Sequence, residues 1–95
     1  MISRTTEFKV RPDKVGEIEA RLPAIKEQLG AVQTMVSNIV MWNGDGTGMT
    51  VAVYHTLEDA DAALAQVGSV WQGVADLLAG PPEMTTYANA MDLRG

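Results

Sequence analysis

Cysteine is absent from the 95 residues, and histidine occurs once. The first absence excludes disulfides, thiolate-held metals and cysteine catalysis; the second excludes a histidine-rich metal centre. Cations are also scarce, seven Lys+Arg against twelve Asp+Glu, for a formal charge of −5. Binding to nucleic acid rests on neutralised phosphates, and anionic membrane surfaces attract basic segments. Neither is expected as a partner. No apolar run approaches the roughly 20 residues of a membrane span. The start, Met1-Ile2-Ser3-Arg4-Thr5-Thr6-Glu7, turns polar at once and contains no signal-peptide core. A cytoplasmic location is the expectation. No low-complexity tract or linker divides the chain, so residues 1–95 read as a single domain. Domains this small bury only about 60–65% of the surface of the unfolded chain. They gain stability from disulfides, metals or oligomerisation, and here oligomerisation is the route left open.

The punctuation is clear. Arg11-Pro12-Asp13, Leu29-Gly30, Asn43-Gly44-Asp45-Gly46 and Gly80-Pro81-Pro82 separate six periodic segments. In residues 2–10, Ile2, Thr6, Phe8 and Val10 share one parity, which marks a strand with one apolar face. Val15, Ile18, Leu22, Ile25 and Leu29 recur at helical spacing, Glu17 and Arg21 add an i,i+4 pair, and Gly30 is the stop. Pro23 interrupts that helix and predicts a kink. Residues 32–42 are apolar on both parities towards their end, as in a strand covered on both faces. Asn43-Gly44-Asp45-Gly46 predicts a hairpin turn with positive φ. Met49, Val51, Val53 and His55 then alternate with Thr50, Ala52 and Tyr54. Thr56 and Asp59 have the spacing of a helix cap, ahead of an apolar stripe from Leu57 through Trp71 to Leu78. Residues 83–93 read as a last strand.

The order β-α-β-β-α-β predicts an α+β fold, a ferredoxin-like sandwich. Two crossovers around a central hairpin give a four-stranded antiparallel sheet with both helices on one face. Met35, Ile39, Met41, Met84, Ala88 and Ala90 fall on the parities left over. A second copy of the chain, packed sheet to sheet, is the economical cover for that face. A homodimer is therefore expected. Trp42 and Tyr54 are assigned to the dimer face or the end of the hairpin.

The strand ending Phe8-Lys9-Val10-Arg11-Pro12-Asp13-Lys14, the helix opening Val15-Gly16-Glu17-Ile18, and Trp71 within the second helix resemble the dimeric α+β barrel superfamily. Its antibiotic biosynthesis monooxygenase-like group is the nearest. The resemblance implies a homodimeric barrel with a cleft between each sheet and its own helices. Activities in that group include cofactor-free oxygenation of polycyclic aromatics and haem degradation; other members have no established activity. The haem-degrading branch uses an Asn on the first strand and a His on the second helix. Residues 2–10 hold no Asn and residues 57–79 hold no His, so that chemistry is not expected.

Polar residues that interrupt the helix-facing parity are the candidates for a site. His55 is the candidate catalytic base, being of the residue type that exchanges protons near neutral pH. Asn38, Tyr87 and Arg4 are candidate substrate-binding groups, and Trp71 a candidate wall. Each has a plainer reading: His55 as a partner of the turn, Trp71 as core filler, Arg4 as a snorkelling surface cation. Asn38 needs a partner if buried, from a ligand or from water. No metal and no cofactor is expected. Two functions follow: an apolar small-molecule site with cofactor-independent monooxygenase-like activity, or a non-catalytic binding or stress-related dimeric module using the same cleft.

Overall fold

The computed structural model describes residues 1–95. Strand β1 (Ile2–Lys9) leads through a 3-10 turn (Pro12–Lys14) into helix α1 (Val15–Gly30). Strands β2 (Met35–Trp42) and β3 (Thr47–Tyr54) form the hairpin. Helices α2 (Leu57–Ala62) and α3 (Leu64–Val74), a second 3-10 turn (Ala75–Leu77) and strand β4 (Glu83–Tyr87) complete the chain. All pairings are antiparallel, in the order β2-β3-β1-β4. This is the ferredoxin-like α+β arrangement that the element order predicts.

The second helix and the last strand differ in extent from the sequence expectation. The second helix breaks at Ala63, whose backbone N–H donates to the Ala60 carbonyl at 3.2 Å. Ala63 is also fully buried, so close packing sits at the break. The last strand ends at Tyr87 rather than at residue 93; beyond it only the Ala90 N–H returns to the sheet edge, donating to the Met1 carbonyl. Helix α1 runs on through Pro23. The Thr56 cap forms as expected, its hydroxyl accepting from the Asp59 N–H at 3.1 Å.

The register fixes which residues share a face. Asn38, Ala52, Arg4 and Thr86 form one row across the sheet; Val40, Thr50, Thr6 and Met84 form the next. These rows face the helices, together with Phe8 and Tyr54. The other face carries the rows Ile39–Val51–Thr5–Thr85 and Met41–Met49–Glu7–Glu83. No helix covers this second face, and Ile39 is 60% exposed on it. Ile39 and Met41 thus lie where parity predicts. Met84 is on the helix side, and Met35, next to a bulge before Ser37, packs against the core.

Buried apolar side chains form two separate groups. One joins Ile2, Val32, Ala52, Tyr54, Ala60 and Ala63; the other joins Val10, Ile18, Val74, Leu77 and Leu78. Helix α1 packs against α3. Arg21 holds the two helices together, donating to the Gly73 carbonyl at 2.7 Å and pairing with Glu17 and Asp76. Space remains between α1 and the sheet.

Candidate functional site

That space is a cleft of about 860 Å³ between the helix-facing side of the sheet and α1 and α3. Of the 27 residues lining it, 18 are hydrophobic. Small-molecule pockets span roughly 300–1,000 Å³, with apolar walls and a few placed polar groups. The room comes from sequence choices on the sheet floor. Thr6, Thr50 and Ala52 are small, and Leu22, Ile25 and Leu29 stand opposite on α1. Across its mouth the Trp42 indole N–H donates to Glu19 of α1 at 3.1 Å. Trp42 therefore sits at the hairpin end, on the helix side and away from the second sheet face.

Three of the expected site residues line the cleft. Arg4 and Asn38 share one cross-sheet row with Ala52 between them. Two strand spacings separate their backbones, about 10 Å. Asn38 is half-buried. Trp71 forms part of the wall near the second core group, its ring 5.5 Å from that of Phe8 and tilted by 53°.

Arg4 is the most constrained polar group there. Its side chain is only 11% exposed. Nε donates to the Thr86 hydroxyl at 3.1 Å, and Nη2 donates to Asp61 of α2 at 2.7 Å. Nη1 is buried with no acceptor. A buried, unpaired donor of this kind carries a desolvation cost of about 1–3 kcal/mol or more.

His55 and Tyr87 lie elsewhere. β3 ends at Tyr54, and His55 sits in the exposed bend that follows, outside the cleft lining. The parity that groups His55 with Val51 and Val53 belongs to the second sheet face; Thr50, Ala52 and Tyr54 face the helices. Tyr87 pairs with Ser3 and lies on the second face, 53% exposed.

Tyr54 is the cleft residue that sequence reading assigns to the wrong place. It is 2% exposed and lines the inner end of the cleft. Burial pushes its phenol above the ordinary value, and the nearby Arg4 charge opposes that rise. The hydroxyl therefore stays protonated at neutral pH, able both to donate and to accept. The signal available in the sequence was its alternation with Thr50 and Ala52, the weaker apolar set of the strand.

No family model matches the chain, and no curated protein matches it. Solved structures do. Rv0793 from Mycobacterium tuberculosis superposes with a TM-score of 0.77 at 19% identity, with 97% of each chain covered. A protein from Nitrosomonas europaea, provisionally named an antibiotic biosynthesis monooxygenase, gives 0.79 at 20% identity over 96% of this chain and 100% of its own. A variant of SnoaB, a cofactor-independent oxygenase from Streptomyces nogalater, gives 0.74 at 17% identity over 99% and 97%. The chain carries the ferredoxin-like α+β fold of antibiotic biosynthesis monooxygenase-like proteins.

Proposed function

We propose that this protein is a homodimer that takes an apolar small molecule into the cleft between its sheet and its own helices. The observation that carries the reading is the cleft of about 860 Å³, apolar on most of its walls, with Arg4 and Asn38 in one row on its floor. The neutral fluorescent probe N-phenyl-1-naphthylamine is expected to bind with one site per chain and to quench Trp71. Thr50→Phe, at a half-buried position on the cleft floor outside both core groups, should project a ring into the cleft and remove binding, while the circular dichroism spectrum and the dimer are retained. Failure of the wild-type protein to bind the probe, or unchanged binding by the Phe variant, sinks the reading.

A second reading adds chemistry: cofactor-independent oxygenation, as the printed description of SnoaB states for that protein. Arg4 and Tyr54 favour it, since both line an apolar cleft and a guanidinium and a phenol are groups that suit a developing oxyanion. Proton abstraction by His55 is not part of it, because His55 lies outside the cleft. Uptake of dissolved oxygen with an aromatic carbon acid, lost in Arg4→Met, is the expected outcome. Binding without oxygen uptake leaves the first reading alone.

A further inference from the structure

The cleft is closed at both ends along the strands. Tyr54 closes one end, where it pairs with Ile2 across the sheet. Phe8 and Trp71 close the other, where Phe8 pairs with Gly48. Tyr54 and Gly48 are six residues apart on β3, a backbone span of about 20 Å. The closing side chains shorten the free length further. The wall at the Trp71 end is firmly seated. The Phe8 ring lies so close to Gly48 that even a Cβ there would collide with it. Trp71 rests on Phe8, ring centroids 5.5 Å apart, and both pack against the second core group.

A second hollow, of about 490 Å³, lies on the other side of Trp71. Gln72, Ala75, Arg11 and the strap at 78–82, with Gly80, Pro81 and Pro82, form its walls. Trp71 is the one residue that lines both spaces, so its side chain stands between them. The hollow is held open without help from the indole. Its strap is tied to the end of β1, the Ala79 N–H donating to the Lys9 carbonyl at 2.8 Å and the Arg11 N–H to the Leu77 carbonyl at 2.9 Å. A chain longer than the cleft meets the indole and must bend or leave through the mouth into water. Its further carbons then add no buried apolar area.

We infer that Trp71 sets the length of ligand that the cleft accepts: it is a partition between the cleft and a closed-off extension, so the cleft takes compact, ring-sized apolar molecules, and a smaller side chain at 71 would admit extended chains. The inference rests on the proposed binding role of the cleft and adds the size class of the occupant.

Displacement of N-phenyl-1-naphthylamine, read by the fluorescence of the probe itself, tests it with the neutral 1-alkanols from hexanol to dodecanol. Affinity for the wild-type protein should rise about fourfold per carbon over the short members, as one methylene is buried at each step, and level off before dodecanol. In Trp71→Leu the rise should continue for about two further carbons, so that dodecanol binds roughly tenfold tighter than to wild type. Leucine keeps an apolar contact for Phe8, and Trp71→Phe, a milder change, should move the break in the same direction by less. Ala75→Phe added to Trp71→Leu fills the hollow and should restore the wild-type break. Leu22→Ala enlarges the cleft from α1 without reaching the hollow, and should leave the break where it is. Affinity that climbs without a break to dodecanol in the wild type, a break unmoved in the Trp71 variants, or one moved equally by Leu22→Ala overturns the inference and leaves the binding role standing. If N-phenyl-1-naphthylamine does not bind the wild-type protein, the binding role falls and the inference with it.

Discussion

Ile39→Asp or Met41→Asp should convert the protein from a dimer into monomers, or unfold it. In an isolated chain either substitution would be close to neutral, since Ile39 is 60% and Met41 46% exposed, and exposed positions usually shift stability by no more than about 0.5 kcal/mol. The expected effect is much larger, several kcal/mol per dimer, because a second copy covering this face would bury an unpaired carboxylate. The face has the composition for it: Ile39, Val51, Met41 and Met49 are neighbours across two strands. A two-fold contact of at least about 1,200 Å² in total is expected. Sedimentation velocity at micromolar concentration checks both statements. A wild-type monomer, or an aspartate variant that sediments and melts like wild type, removes the dimer from the functional reading.

Gly46→Ala should lower stability by about 3 kcal/mol, among the largest losses available to a single methyl group. Gly46 has φ +94°, a conformation that side chains rarely adopt. Space is also missing: an added Cβ would lie 2.1 Å from the carbonyl oxygen of Val10. That neighbour is backbone and is fixed in place, because the Val10 N–H donates to the Gly46 carbonyl at 2.8 Å and Val10 is in the second core group. The hairpin loop and the end of β1 must therefore separate for the methyl to fit. For a domain of this size the loss corresponds to roughly 12–24 °C in melting temperature. Gly44, two residues earlier in the same loop, has open space around it and no positive φ. Gly44→Ala is the matched control and should melt within a few degrees of wild type. Equal losses for the two variants would show that loop composition, and not the contact with Val10, sets the effect.

These two substitutions divide what could be read in the sequence from what could not. The turn at Asn43-Gly44-Asp45-Gly46 was legible because its chemistry is local; the sequence could not say which glycine takes the positive φ, since the approach of Val10 is a tertiary contact. Element order and the parity of β1 were legible for the same reason. The faces of β3 were not. Met49, Val51 and Val53 are its more apolar set, and burial by the helices is the usual reason for such a set. Here the more apolar set faces the side that no helix covers. The helix side carries Thr50 and Ala52, whose small side chains leave the cleft open. Hydrophobic periodicity reports which face is more apolar, and it misleads where small side chains leave a space beneath the helices. The misplacement of His55 and of Tyr54 follows from that single inversion. Tyr87 has a different cause: its face depends on the pairing of β4 with β1, at Ser3, which no local pattern contains. Arg4 and Asn38 were found because a polar residue within an apolar alternation is visible without knowledge of the partner strand.

The two buried groups, one around Tyr54 and one around Leu77, meet the cleft from opposite ends. The sheet and helix α3, which sets Val67 against the first group and Val74 in the second, join them while the cleft is empty. Cooperativity then has a seam. Native-state hydrogen exchange should resolve two opening units of unequal free energy, one holding α2 and the inner end of β3, the other holding the end of β1 and the 3-10 turn at 75–77. A ligand that touches both ends bridges the seam and stabilises by mass action. Its signature would be a merging of the two exchange classes into one, together with a rise in melting temperature. Occupancy of the cleft would thus decide whether the chain behaves as one folding unit or as two.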